Sequence, residues 1–270
     1  MALDEQKYFR PLAVITGASS GIGFELAKVF GANGFDLVIV AENEKIFAAK
    51  TQLEVTGAKV LAYQIDLAHY SDVEEFYHII DDLNRPVEAI ALNAGVGVGG
   101  HFAKNTSLED ELNLINLNVV STVHLAKRIV KKMLKDGRGK VLFTSSIASL
   151  MPGPFEAVYA ASKAFVQSFA IALRNELADT GITITSLMPG ATNTEFYHRA
   201  GMDDTKVGKS KKDDPAVVAK QGFDGLMQGR DHVIAGSIMN NLQSGISKII
   251  PDNVAASIHR KTSEPESSKH

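Results

Sequence analysis

The chain has 270 residues, 45% of them hydrophobic, so it is long enough to bury one sizeable core. Its net charge is −3 with both signs interspersed, which provides no basic field for binding nucleic acid. It has no cysteine, which excludes disulfides and thiolate chemistry and is typical of a cytoplasmic protein. We therefore expect a soluble, single-domain protein with no nucleic-acid partner.

The two ends of the chain indicate where the folded domain ends and whether the protein is exported. Residues 1–11 carry charges where a secretory signal needs an apolar run, and no later run is long enough to span a membrane. The last ten residues, 261–270, are rich in Ser, Glu and Lys, which predicts a disordered tail after a domain over 1–260. The eight histidines show no metal-site spacing, so we expect no metal.

Short apolar runs alternate with longer stretches of helical periodicity. The runs that predict strands are Leu12–Ile15, Leu37–Ala41, Val60–Ile65, Ala89–Leu92, Val141–Thr144, Ile182–Leu187 and Val233–Ala235. Helices are predicted over 22–33, 44–55, 72–84, 107–135, 159–179 and 215–228. Strands that are apolar on both faces are typical of a parallel sheet covered by helices. The sequence predicts an α/β fold: a single-domain Rossmann-type doubly wound parallel sheet of about seven strands, with helices on both faces.

A glycine-rich turn separates the first predicted strand from the first predicted helix. Its residues are Thr16-Gly17-Ala18-Ser19-Ser20-Gly21-Ile22-Gly23. Glycines allow a tight turn and let the backbone approach a pyrophosphate, which the helix N-terminus favours electrostatically. The turn therefore predicts dinucleotide binding.

Further motifs follow the later strands in a consistent order. They are Asn93-Ala94-Gly95, Asn118, Ser146, Tyr159 to Lys163, and Pro189-Gly190. With the Gly-x-x-x-Gly-x-Gly spacing of the turn, residues 11–195 resemble the short-chain dehydrogenase/reductase family. The resemblance implies an NAD(P)-dependent oxidoreductase that acts on an alcohol or ketone.

The catalytic candidates follow from the proton chemistry of such a reaction. Alcohol oxidation needs a base and carbonyl reduction an acid, and Tyr159 can serve as both. Lys163, four residues later on a predicted helix, shares a face with Tyr159 and is expected to lower its pKa. Ser146 is expected to polarise the substrate oxygen. The resemblance favours Ser146 over Ser145 as the serine that holds the substrate oxygen. It also implies that Asn118, and not Asn116, helps a chain of water molecules to resupply the proton.

The resemblance also implies a set of cofactor-binding residues. Asp66 would bond the adenine, although a helix-capping or loop aspartate is the alternative, and Thr194 would bond the nicotinamide carboxamide. The full predicted set is Gly17, Ser19, Ser20, Gly21, Ile22, Gly23, Glu42, Asp66, Leu67, Asn93, Ala94, Gly95, Tyr159, Lys163, Pro189, Gly190, Thr192 and Thr194.

Glu42 ends the second predicted strand, where a carboxylate bonds the adenosine ribose and disfavours a 2′-phosphate. This favours NAD over NADP, unless Glu42 only stabilises the following helix through its dipole.

Largely apolar residues are the candidates for the substrate pocket: Val96, His101, Phe102, Met151, Phe155, Met188 and Phe196. They predict a small or medium-sized, rather apolar substrate. The segment around 195–214 follows the sixth strand and predicts a substrate lid.

Near the C-terminus, Ile238, Leu242, Ile246, Ile249 and Ile250 form an apolar stripe at helical spacing, which needs a cover. We expect it to pack on the body or in a homodimer or homotetramer. Two other functions remain open: a sugar-nucleotide epimerase or dehydratase, and an inactive nucleotide-sensing or scaffolding protein on the same fold.

Overall fold

One parallel sheet organises the molecule. A computed structural model describes residues 10–237 and 251–269, and within them seven strands form a sheet in the order β3-β2-β1-β4-β5-β6-β7. The strands are β1 (Leu12–Thr16), β2 (Asp36–Ala41), β3 (Val60–Gln64), β4 (Val87–Leu92), β5 (Gly139–Thr144), β6 (Ile182–Pro189) and β7 (His232–Ala235). All the neighbouring pairs are parallel. This confirms the predicted fold class.

Helices connect the strands. They are α1 (Gly21–Ala32), α2 (Lys45–Glu54), α3 (Tyr70–Asp82), α4 (Leu108–Ile115), α5 (Ser121–Asp136), α6 (Ala157–Glu176), α7 (Phe196–Arg199), α8 (Lys206–Lys209), α9 (Pro215–Met227) and α10 (Asp252–Ser263). The helix predicted over 107–135 is divided, because a π-helical turn (Asn116–Val120) separates α4 from α5. Such turns are frequent at functional sites.

Two apolar cores lie on opposite faces of the sheet. Successive strand residues point to opposite faces, so Val14 packs in one core with Phe76 and Phe143. Its neighbour Ile15 packs in the other core with Phe30. Every residue of β1 and β2 is buried, as their apolar runs predict.

The strand order places the candidate site. From β1 the chain runs outward through β2 and β3, and then returns to β4 on the other side of β1. In such sheets, ligands bind outside the carboxyl ends of the strands where the order reverses. The residues that follow β1, β4 and β5 therefore meet at one crevice.

The C-terminal segment departs from the sequence prediction. Disorder was expected over 261–270, but α10 extends to Ser263 and a 3-10 turn spans Glu266–Lys269. This turn is fixed by the backbone N–H of Ser267, which donates to Asp204 Oδ2 at 3.0 Å, and by a 2.7 Å ion pair between Lys209 and Glu266. The disorder prediction is therefore corrected for these residues.

The predicted apolar stripe from Ile238 to Ile250 lies outside the described residues. Within the described residues, no helix combines the length and apolar composition needed to cross a bilayer.

Candidate active site

A cleft of about 530 Å³ opens at the carboxyl edge of the sheet. It is bordered by the loops after β1, β4, β5 and β6, and by residues of α7, α8 and α10. The predicted site residues that line it are Gly17, Ser19, Ser20, Gly21, Ile22, Gly23, Glu42, Asn93, Ala94, Gly95, Ser146, Tyr159, Lys163, Pro189, Gly190, Thr192 and Thr194. Three others, Asp66, Leu67 and Asn118, do not belong to this lining.

The glycine turn is packed too tightly for side chains. Gly17 has a φ of +67° and donates to Val40 O at 2.9 Å, and a Cβ on Gly23 would lie 2.1 Å from Gly17 O. No side chain caps the N-terminus of α1 at Ser20. The first N–H groups of α1 therefore lie at the cleft without a side-chain acceptor. Such backbone donors can bind an anion.

Asn93 braces the strand ends around this turn. Its backbone N–H donates to Thr16 Oγ1 at 2.9 Å, and its side chain donates to Thr16 O at 3.2 Å. Thr144 Oγ1 donates to Asn93 Oδ1 at 3.1 Å. Asn93 thus ties β1 to β4 and β5. Thr16 and Thr144 cannot be recognised from the sequence, because each looks like an ordinary strand residue.

Three buried polar side chains converge in the cleft. Ser146 follows β5, whereas Tyr159 and Lys163 lie one turn apart on α6, and all three are at most 9% exposed. Lys163 Nζ lies 5.9 Å from the centre of the Tyr159 ring and donates to Thr144 O at 3.0 Å. The rival Ser145 instead donates its hydroxyl to Lys163 O at 2.8 Å, so it supports α6.

The pKa of Tyr159 differs from the sequence expectation. Burial raises it above the usual value of 10, and this effect exceeds the lowering by a hydrogen bond from Ser146. Burial also lowers the pKa of Lys163 to about 8. The expected lowering of the Tyr159 pKa by Lys163 is thus not found in this structure, because desolvation disfavours the charged form of both groups.

Asn118 lies behind the cleft in the π-helical turn and is 1% exposed. Its side chain accepts from Val96 N–H and donates to Val96 O, each at 2.9 Å, and it also donates to Ser162 Oγ at 3.1 Å. It therefore fixes the loop after β4 against α6. Its competitor Asn116 is exposed.

Asp66 does not match its predicted adenine-binding place in the cleft. Its Oδ1 accepts from Ala68 N–H at 2.9 Å, and its Oδ2 lies 3.7 Å from His69 Nε2. These are contacts of a loop aspartate, since the N-cap of α3 is His69. The side chain of Leu67 is buried in an apolar core.

The predicted substrate pocket is correct only in part. Val96, Met151 and Phe196 line the cleft, but four other candidates do not. Met188 is buried in the sheet and Phe102 is 60% exposed, while Phe155 and His101 pack against each other with ring centres 6.1 Å apart.

The structure adds polar residues that the sequence analysis did not select. Glu156, Tyr197, His259, Thr262 and Ser263 all border the cleft. Glu156 precedes a helix and resembles an ordinary capping acid, and α10 joins the site only through tertiary packing. Within 10–237 and 251–269, no group of three or more His, Cys, Asp or Glu side chains could hold a metal ion.

The sheet, its crevice and the glycine turn define a Rossmann-type dinucleotide-binding protein. Comparisons with known proteins are more specific: the family described as short chain dehydrogenase matches residues 11–204. An NADP-dependent 3-hydroxy acid dehydrogenase, YdfG, from Salmonella typhi is 30% identical over 209 residues, or 76% of this chain and 83% of that protein. The chain therefore belongs to the short-chain dehydrogenase family and is an oxidoreductase.

Other relatives agree on the family. A sulfoacetaldehyde reductase from Chromohalobacter salexigens is 28% identical, covering 68% of this chain and 74% of its own. The structure of a short-chain dehydrogenase from Sphingobium yanoikuyae in complex with NADPH matches with a TM-score of 0.78 and 27% identity, covering 89% of this chain and 96% of that one.

Proposed function

We propose that the chain transfers a hydride between NAD(P) and an alcohol or carbonyl substrate of small to medium size. The observation that carries this proposal is the convergence of Ser146, Tyr159 and Lys163 in the cleft that also contains the glycine turn. The fit of a dinucleotide is supported by Gly17, Gly21 and Gly23, which border the cleft without side chains at the N-terminus of α1, where no side chain caps the helix.

The nicotinamide supplies or accepts the hydride when it is bound. The hydroxyl of Ser146 holds the substrate oxygen, and Tyr159 exchanges a proton with it. Because burial keeps the phenol protonated, Tyr159 is ready to act as the acid in carbonyl reduction. Lys163 brings a positive charge that offsets the phenolate left after proton transfer, and Asn118 positions the neighbouring loop.

The lining of the cleft supports an organic substrate with a largely apolar body. Val96, Met151 and Phe196 line the same cleft as Tyr159, and the ring centres of Tyr159 and Phe196 are 5.1 Å apart. Apolar walls with a few polar groups are typical of small-molecule sites. The basic test is a nucleotide-dependent absorbance change with a panel of alcohols and ketones, measured with both NAD and NADP.

Glu42 supports a preference for NAD. Its carboxylate borders the cleft after β2, where a 2′-phosphate would be repelled. Arg199 Nη1 lies 3.7 Å from Glu42 Oε1, so this cation is already paired. We expect a higher kcat/KM with NAD than with NADP, and a shift of at least ~tenfold toward NADP in Glu42→Arg.

The control for this cofactor prediction is Glu44→Arg, which makes the same charge change at an exposed residue outside the cleft lining. It should leave the ratio of the two kcat/KM values unaltered. A clear NADP preference in the unaltered protein would overturn the assignment of Glu42.

The segment 195–214 is proposed as a substrate lid, since α7 and α8 both border the cleft. Lys45 and Glu195 form an ion pair of 3.3 Å that links its start to α2. We expect trypsin to cut this lysine-rich segment in the free protein, and cofactor plus substrate to slow the cut, because an ordered lid is a poor protease substrate. Cleavage sites elsewhere provide the internal control. Equal cutting of the lid with and without both ligands would contradict the proposal.

A further inference from the structure

A buried polar cluster borders the cleft beside the proposed catalytic group. Glu156 is 7% exposed and directly precedes α6. Ser263 Oγ, from α10, donates to Glu156 Oε2 at 2.9 Å, and His259 Nε2 lies 3.5 Å from the same oxygen. Ionisable groups are costly to bury, so their presence at a ligand cavity calls for an explanation beyond packing.

The cluster is close to the reacting atoms. Glu156 lies three residues before Tyr159, at the N-cap of α6 in a non-helical conformation, and both residues border the same cleft. Besides burial, the charge of Glu156 raises the pKa of Tyr159, so a substrate whose oxygen contacts Tyr159 lies near Glu156.

The backbone beside Glu156 is strained. Phe155 has a φ of +66°, which is unusual for a side-chain-bearing residue. This conformation is held by a 2.8 Å hydrogen bond from Gly100 N–H to Phe155 O and by the Arg260 guanidinium, 5.4 Å from the Phe155 ring. Strain of this kind persists where the surrounding structure fixes it, and it clusters at ligand sites.

We propose that Glu156, held by Ser263 and His259, determines substrate specificity by accepting a hydrogen bond from a second, hydroxyl group of the substrate. In its ionised form, the same carboxyl disfavours a carboxylate or sulfonate at that place, because two like charges in a partly desolvated cavity repel each other. The natural substrate is thus a neutral hydroxylated ketone or the matching diol. This inference rests on the proposed function and specifies its substrate class.

The names of two relatives denote anionic substrates, a 3-hydroxy acid and sulfoacetaldehyde. The proposed role of Glu156 gives this chain a different substrate class, a neutral hydroxylated ketone or diol. The apolar residues Val96, Met151 and Phe196 of the lining add no charge that would bind an anion. Arg199 on α7 and Lys206 on α8 also line the cleft, on elements other than those of the cluster, and Arg199 already pairs with Glu195 at 2.7 Å.

The cluster also predicts how the preference depends on pH. Burial raises the pKa of Glu156 to about 7, with the Ser263 hydrogen bond acting in the opposite direction. Among the described residues, the titratable groups facing it are His259 on α10, Tyr159 on α6 and Tyr197 on α7. Burial lowers the pKa of His259, so a rise in pH through 7 mainly deprotonates Glu156. A carboxylate is the stronger acceptor, so the preference for the hydroxyl group should grow as pH rises.

Three ketones that differ only in their terminal group test the proposal on the unaltered enzyme: butan-2-one, 4-hydroxybutan-2-one and 3-oxobutanoate. We expect kcat/KM for 4-hydroxybutan-2-one to exceed that for butan-2-one by at least ~tenfold. The kcat/KM for 3-oxobutanoate should be at least ~tenfold lower than that for butan-2-one. The first ratio should rise between about pH 6 and pH 8. Because both substrates use Tyr159 and Lys163, the titration of these two groups, including that of Lys163, whose pKa burial lowers to about 8, cancels in the ratio.

Variants separate substrate binding from a merely structural role. Glu156→Gln should remove the pH dependence of the ratio and weaken the rejection of 3-oxobutanoate, and Ser263→Ala should act in the same direction. Glu176→Gln makes the same change at the exposed end of α6 and should leave both ratios unaltered.

Equal kcat/KM values for the three ketones with the unaltered enzyme would overturn the inference while leaving the proposed oxidoreductase function intact. An equal loss with all three in Glu156→Gln would also overturn it, because that result indicates a structural role. If no ketone or alcohol is turned over with either cofactor, the proposed function itself fails.

Discussion

Replacing Tyr159 by Phe should lower kcat by roughly 10²–10⁴-fold, the usual contribution of a general acid or base. The phenol is the one group in the proposed mechanism that exchanges a proton with the substrate oxygen. Loss of its hydroxyl leaves the ring in place against Phe196, 5.1 Å away, so the pocket should keep its shape. Steady-state kinetics with the best substrate of the panel, together with fluorescence titration of reduced cofactor, would measure turnover and nucleotide affinity separately.

The matched control is Tyr70→Phe, which removes a phenol hydroxyl from a 67% exposed residue at the start of α3. It should retain the kcat of the unaltered enzyme. Nucleotide affinity should stay nearly the same in both variants, because neither tyrosine is needed to bind the pyrophosphate. A Tyr159→Phe variant that keeps most of its kcat would contradict the acid/base assignment.

Replacing Gly23 by Ala should weaken nucleotide binding by at least ~tenfold and destabilise the fold by about 1–3 kcal/mol. The added Cβ would lie 2.1 Å from Gly17 O and 2.5 Å from Asn93 Nδ2. Either the turn or the brace between the strands must then shift. Both help to shape the predicted pyrophosphate site, so binding should be lost together with stability.

Gly34→Ala is the control for this prediction. Gly34 has a φ of +89°, but its Cβ would meet no atom within 4 Å, and it lies outside the cleft. It should lose stability through backbone strain alone and keep its cofactor Kd. Thermal unfolding and nucleotide titration distinguish the two cases. Unaltered binding in Gly23→Ala would show that the turn does not approach the pyrophosphate.

Much of the fold could be predicted from the sequence because the signals are local. Runs such as Leu37–Ala41 are apolar on both faces, and only a sheet buried on both sides satisfies such a pattern. The division of the long helix at Asn116 could not be predicted, since a π-helical turn leaves the helical periodicity of its neighbours almost unchanged. The order around Glu266 depends on contacts with Asp204 and Lys209, which are distant in sequence.

The candidate site divides in the same way. The glycine turn and the Tyr159 to Lys163 spacing are short-range patterns, and the structure brings these residues together in one cleft. Residues whose position depends on tertiary packing could not be assigned from the sequence. Phe102 is apolar but exposed, and His259 reaches the cleft because α10 packs there. The direction of the Tyr159 pKa could not be predicted, because burial depends on the whole fold while the Lys163 spacing is local.

The most direct test of the proposed chemistry is to follow the hydride itself. The unaltered enzyme is incubated with a ketone and with reduced NAD or NADP carrying deuterium at the transferable position of the nicotinamide, and the product is analysed by mass spectrometry and NMR. We expect one deuterium per product molecule, bound to the new carbinol carbon, with an equal amount of cofactor oxidised. Alcohol that carries no deuterium, or no cofactor-dependent product from any ketone in the panel, would contradict the proposed function.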